Sequence, residues 1–171
     1  MTRKITTFAI FIALMIIGGY ILYFISTAIP IPGSKFIIMG PYITLVMSLP
    51  LIRYPRFGTL SLINLGFGGL MVIFSPWMTL AIVVSGIVAD CVILLPIWAK
   101  AKQLLALGVY NGISLLTSVY ITNYITGNQL YRIINLKALI VAFVIAVLTG
   151  ILGGYAGQKI DKIYLRSGNI R

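Results

Sequence analysis

Residues 5–28 read ITTFAIFIALMIIGGYILYFISTA, a run without a single Lys, Arg, Asp or Glu. A helix needs about 20 apolar residues to cross the hydrocarbon core of a bilayer, and this stretch supplies them. Arg3 and Lys4 precede it, while Pro30, Pro32 and Gly33 follow, so both of its ends are marked. A charged start before an apolar run is also how a secretory signal begins, and Ser26-Thr27-Ala28 loosely resembles a cleavage site. The run is longer than the roughly 7–15 residues of a signal core, and further apolar runs come after it. The expectation is a retained first membrane helix.

The rest of the composition agrees. Of 171 residues, 60% are apolar and 9% are charged, with 13 Lys or Arg against 2 acidic residues. The mean hydropathy is +1.09. A water-soluble domain keeps roughly a quarter of its residues charged, so this chain cannot coat itself for water. Six spans would use roughly 120 residues and leave about 50 for tails and loops, too few for a soluble catalytic domain. No phosphate-cradling G-x-x-x-x-G-K-[ST] loop is present. The chain also has no His and no Glu, which removes the commonest metal ligand and the usual general bases. The net charge of +11 is read as basic residues flanking membrane helices on the cytoplasmic side rather than as a nucleic-acid surface. Cys91 lies alone in an apolar run and is expected to be a small buried side chain.

Breakers and charges divide the chain into an all-α, polytopic membrane domain, residues 1–171, with six transmembrane helices and short loops. Helix 1 is expected over Ile5–Ala28, helix 2 over Phe36–Ile52 and helix 3 over Phe57–Phe74. Helix 4 is expected over Trp77–Trp98, helix 5 over Leu104–Ile125 and helix 6 over Ala138–Gly157. The separation of Trp77 and Trp98, about 31 Å of helix, matches one hydrocarbon thickness with an aromatic at each interface. One side of the membrane collects Arg3, Lys4, Arg53, Arg56, Lys100, Lys102, Lys159, Lys162, Arg166 and Arg171. The other has only Lys35, Arg132 and Lys137. That bias places both termini in the cytoplasm, as an even number of spans requires.

Asp90 is the one acidic residue inside a span, expected about 4 Å from the bilayer centre, which falls midway between Trp77 and Trp98. A charge there costs about 2.5–3.5 kcal/mol and must face the bundle interior. It reads either as a ligand-binding or proton-carrying carboxylate, or as a structural one that is protonated or paired with Arg53 or Arg56. Helix 5 carries Asn111, Ser114, Thr117, Ser118 and Thr122 at spacings of three and four, flanked by Tyr110 and Tyr120. Such a row lines a polar cavity or bonds one helix to the next. Its continuation into Asn123, Asn128, Gln129 and Arg132 favours the cavity. Asn64 has the same two readings. Tyr20, Tyr23, Tyr42, Tyr120, Tyr124 and Tyr131 map to the outer half, as an interfacial belt or as rings stacked on a ligand. Ala9 and Ala13 in helix 1, and Gly150/Gly154 with Gly153/Gly157 in helix 6, permit close approach of another helix, from this chain or from a partner.

With these pieces in order, the chain resembles a substrate-binding S component of the energy-coupling factor (ECF) transporters. The resemblance covers essentially the whole chain. It rests on Ala9-Ile10-Phe11-Ile12-Ala13, the loop Ile29-Pro30-Ile31-Pro32-Gly33, the stretch Gly86-Ile87-Val88-Ala89-Asp90 and the ending Leu152-Gly153-Gly154-Tyr155-Ala156-Gly157-Gln158-Lys159. Each motif is short and degenerate; their order along the chain carries the likeness. It implies an outward-facing pocket for a vitamin or related micronutrient, built from helices 4 to 6 and the outer loops. It also implies docking of the Ala9/Ala13 face on a transmembrane T component, which joins two ABC ATPases. Pro30, Pro32, Gly33 and Lys35 would form the gate. The pocket would draw on Tyr110, Asn111, Ser114, Ser118, Tyr120, Asn123 and Arg132, with Asp90. The subunit would carry no cofactor of its own, ATP being hydrolysed by its partners, and would sit as a multi-pass protein in a prokaryotic plasma membrane. Pocket residues differ between S subfamilies, so no ligand-specific set transfers. The alternative is a non-transporting scaffold whose buried polar groups only pack helices. An enzyme is not expected, because one buried carboxylate offers no tuned acid–base pair.

Overall fold

In the computed structural model the described residues are 2–28, 34–125 and 135–168. They form six helices and no strand: α1 Thr2–Thr27, α2 Ser34–Arg53, α3 Thr59–Met71, α4 Pro76–Ile93, α5 Ala99–Tyr124 and α6 Leu136–Gly168. Four of them, α1, α4, α5 and α6, are long and apolar enough to cross a membrane. The apolar α3 has 13 residues, about 20 Å of helix, and is short of a bilayer by itself.

Several helix boundaries differ from the sequence expectation. Helix α4 ends at Ile93 rather than Trp98 because Pro96 disfavours helical backbone at the residue before it. The last amides tighten to three-residue bonds, Leu94 N to Cys91 O and Leu95 N to Val92 O. The α5 helix restarts at Ala99, so Lys100 and Lys102 belong to its first turn. At the other side of α4, α3 starts only after Gly58, whose φ of 92° is left-handed. The α6 helix runs on past Gly157 to Gly168, since residues 158–167 contain no Gly or Pro to stop it.

Helix α2 is the hub. It packs against α1, α3, α5 and α6, while α4 rests on α3 and α5. Met15, Met47, Leu51, Leu60, Ile63 and Leu107 are fully buried where these helices meet. The glycine pairs of α6 serve two neighbours within the chain. A Cβ on Gly153 would strike the Pro41 carbonyl and Thr44 Oγ1 of α2, and one on Gly157 would strike Ser48 Oγ and lie 2.9 Å from Leu45 O. A Cβ on Gly150 would lie 2.8 Å from Leu107 O, and one on Gly154 2.7 Å from Leu107 Cδ1, both on α5. Glycine is therefore what lets α6 lie in the groove between α2 and α5. No contact joins α4 to α6 among the described residues. Both flank α5, and the gap between them is where the candidate site lies.

Candidate functional site

Asp90 sits one turn from the end of α4 and is fully buried, close to a helix end and not at mid-span as the longer helix implied. Its carboxyl oxygens accept from Leu60 N at 3.2 Å, from Ser61 N at 2.6 Å and from Ser61 Oγ at 2.5 Å. These donors open α3, whose first amides have no partner within their own helix. Asp90 thus caps α3 from a neighbouring helix, with its carboxyl oxygens at the positive end of the helix dipole. Arg53 and Arg56 are exposed, and neither forms an ion pair with it among the described residues; the expected pairing is replaced by backbone amides. Cys91, one position on and so about 100° round the helix, is exposed and not buried as expected.

The polar row of α5 divides between two neighbours. At 100° per residue its five members spread over an arc of about 140°, wider than one interface. Asn111 is buried and donates through Nδ2 to Ala146 O at 2.8 Å and to Thr149 Oγ1 at 3.1 Å, both on α6. Thr117 turns towards α4, with Ser85 Oγ 3.5 Å away, and donates to Ile113 O at 2.8 Å. Tyr110 is a core residue, its side chain hydrogen-bonded to that of Ser114 one turn on. Ser118 is half-buried, and its carbonyl accepts from Thr122 Oγ1 at 2.7 Å. Asn111, Tyr110, Ser114, Ser118 and Asp90 all lie outside the cleft described next. Asn64 donates to Leu60 O at 2.8 Å within α3 and packs so closely on α4 that a Cβ on Gly86 would lie 2.7 Å from its amide.

The cleft has a volume of about 500 Å³ and lies over the last two turns of α5. Leu80 and Val84 of α4 form one wall and Leu139 of α6 the other. Leu116, Thr117, Val119, Tyr120, Ile121, Asn123 and Tyr124 of α5 form the floor. Tyr120 and Tyr124 are stacked with ring centroids 4.8 Å apart and a tilt of 36°, and both are exposed. The residue types suit a small molecule with a flat apolar part and a few hydrogen-bonding groups, because two rings offer faces while Asn123 and the tyrosine hydroxyls supply polar contacts. Among the sequence candidates, Thr117, Tyr120, Asn123 and Tyr124 meet here. Leu80, Val84 and Leu139 were not foreseen, since one more aliphatic in an apolar helix carries no signal.

The remaining candidates fall elsewhere. Ala9 and Ala13 are exposed on α1, on the face opposite the buried Phe11 and Met15. Lys35 lies in the first turn of α2 and not in the preceding loop. Pro30, Pro32, Gly33, Tyr131 and Arg132 lie outside the described residues. Tyr42 bonds α2 to α1 through its hydroxyl, which donates to Leu14 O at 2.8 Å. No group of metal-ligating side chains occurs among the described residues. No protein-family model, curated protein or solved structure matches the chain.

Proposed function

We propose that the chain is the solute-capturing membrane subunit of an importer driven by partner proteins, in the manner of an ECF S component. A vitamin or related micronutrient occupies the cleft over α5, between Tyr120, Tyr124 and Asn123 on one side and the aliphatics of α4 and α6 on the other. The observation that carries this reading is the cleft itself: about 500 Å³ is within the range of small-molecule sites. The chain crosses a prokaryotic plasma membrane six times in this reading, the short α3 together with the residues that flank it, and both termini lie in the cytoplasm. The cleft then faces outward, because it lies at the end of the bundle remote from Arg53, Arg56, Lys100 and Lys102. The open Ala9/Ala13 face of α1 docks on a T component, and two ABC ATPases joined to it supply the energy. No chemistry on the solute is proposed. The scaffold alternative draws on Asp90, Asn111 and Tyr42, each of which bonds one helix to another.

The docking assignment has a direct test. Ala9→Leu/Ala13→Leu fills the α1 face without touching the cleft. The double variant is expected to fold normally and keep its bound solute, while losing at least about tenfold in co-purification with a T component and two ATPases identified by mass, since close approach is what small residues permit. An unchanged complex would remove the docking role.

A further inference from the structure

Contacts between helix ends gather six described cations at one end of the bundle. Asp90 ties the start of α3 to the end of α4, which brings the connection holding Arg53 and Arg56 beside residues 94–98. Gln158 Nε2 donates to Lys100 O and Gln103 Oε1, both at 3.4 Å, which sets Lys159 and Lys162 beside the start of α5. All six are exposed except Lys102, which is half-buried. The chain has only two acidic residues, Asp90 of α4, buried against the start of α3, and Asp161 of α6, so this end is strongly positive. In its middle, Leu94, Leu95, Ile97 and Trp98 are exposed in the non-helical break between α4 and α5. Trp98, at 89% exposure, is the most exposed large apolar side chain described.

An exposed Trp among aliphatics, followed at once by Lys100 and Lys102, is chemically matched to the boundary between acyl chains and anionic headgroups. We propose that residues 94–98 form an interfacial wedge, with Lys100 and Lys102 binding the phosphates of anionic phospholipids. Leu94, Leu95 and Ile97 enter the upper acyl region, the Trp98 ring lies at the headgroup level, and the lysine stems reach back to the lipid phosphates. Arg53, Arg56, Lys159 and Lys162 widen the same positive rim. The wedge is distinct from the cleft and does not depend on what occupies it.

The test uses Trp77→Phe, which leaves Trp98 as the sole tryptophan, in phosphatidylcholine nanodiscs doped with either brominated phosphatidylglycerol or brominated phosphatidylcholine at equal mole fraction. Trp98 fluorescence is expected to be quenched by both, and more by the anionic lipid, its preferential association being about fivefold for each lysine engaged. Lys100→Gln/Lys102→Gln is expected to remove most of the excess, and high salt on the parent lysines to abolish it, since salt screens exposed charge without any substitution. Equal quenching by the two lipids, or no quenching by either while aqueous acrylamide reaches Trp98, would overturn the proposal. So would quenching excess that survives both the lysine changes and high salt.

Discussion

Asp90→Ala is expected to lower unfolding stability in detergent by about 3 kcal/mol, because it strips the carboxylate from one buried and one half-buried backbone amide and a hydroxyl at once. Leu60 N points into a packed interface where water cannot replace the lost acceptor, while Ser61 N is half-buried beside it. The α3 helix suffers first, being the shortest of the six at 13 residues, and having no side-chain cap at Gly58. Asp90→Asn keeps one acceptor oxygen and should fall between parent and alanine. Thermal unfolding of the three proteins, read by circular dichroism, orders them. The purified, folded fraction of Asp90→Asn is expected to retain solute as the parent does. Equal stability of parent and Asp90→Ala would show that the cap does not hold the two helices together.

Gly153→Leu is expected to abolish the folded monomer, or to cost about 3 kcal/mol where it is recovered at all. The added carbon meets the Pro41 carbonyl and Thr44 Oγ1. Both belong to the hub helix, and Thr44 Oγ1 is already bonded to Gly40 O at 2.8 Å. Neither partner is the free end of a flexible side chain, so α2 and α6 must move apart. The matched control is Gly69→Leu, where nothing lies within 4 Å of the new carbon. It should be neutral, or slightly stabilising through better helix propensity. Size-exclusion profiles and unfolding midpoints of the two variants give the comparison. Similar losses at both positions would mean that glycine matters here for backbone freedom and not for packing.

Much of this architecture is legible in the residues. Continuous apolar runs separated by prolines and charges locate six helices and their order, and the composition points to lipid as solvent. Pro96 was equally legible: reading through it from Trp77 to Trp98 stretched α4 by a turn and moved Asp90 to mid-span. Partnership is what one dimension conceals. Ala9/Ala13 and Gly153/Gly157 follow the same spacing rule, yet one pair is open on α1 and the other is filled by α2. Asn111 and Thr117 look like members of one stripe, but six residues carry a helix about 240° round from its starting face, so they serve α6 and α4 respectively. Tyr110 and Tyr120 look alike in sequence and differ wholly in place: one is core, the other cleft floor. The cleft walls were invisible because Leu80, Val84 and Leu139 become walls only through the gap between α4 and α6.

The claim on which the functional reading stands is that a non-lipid solute occupies the space above Tyr120 and Tyr124. Each ring contributes about 0.5–1.5 kcal/mol beyond its buried area when stacked, so removing both weakens binding at least about tenfold. Mass spectrometry of small molecules retained by the purified chain and by Tyr120→Ala/Tyr124→Ala reads this out. The account predicts one small compound at near-equimolar amount on the parent, absent from a variant whose unfolding midpoint is unchanged because both rings are exposed. Identical profiles containing only phospholipid and detergent would contradict it.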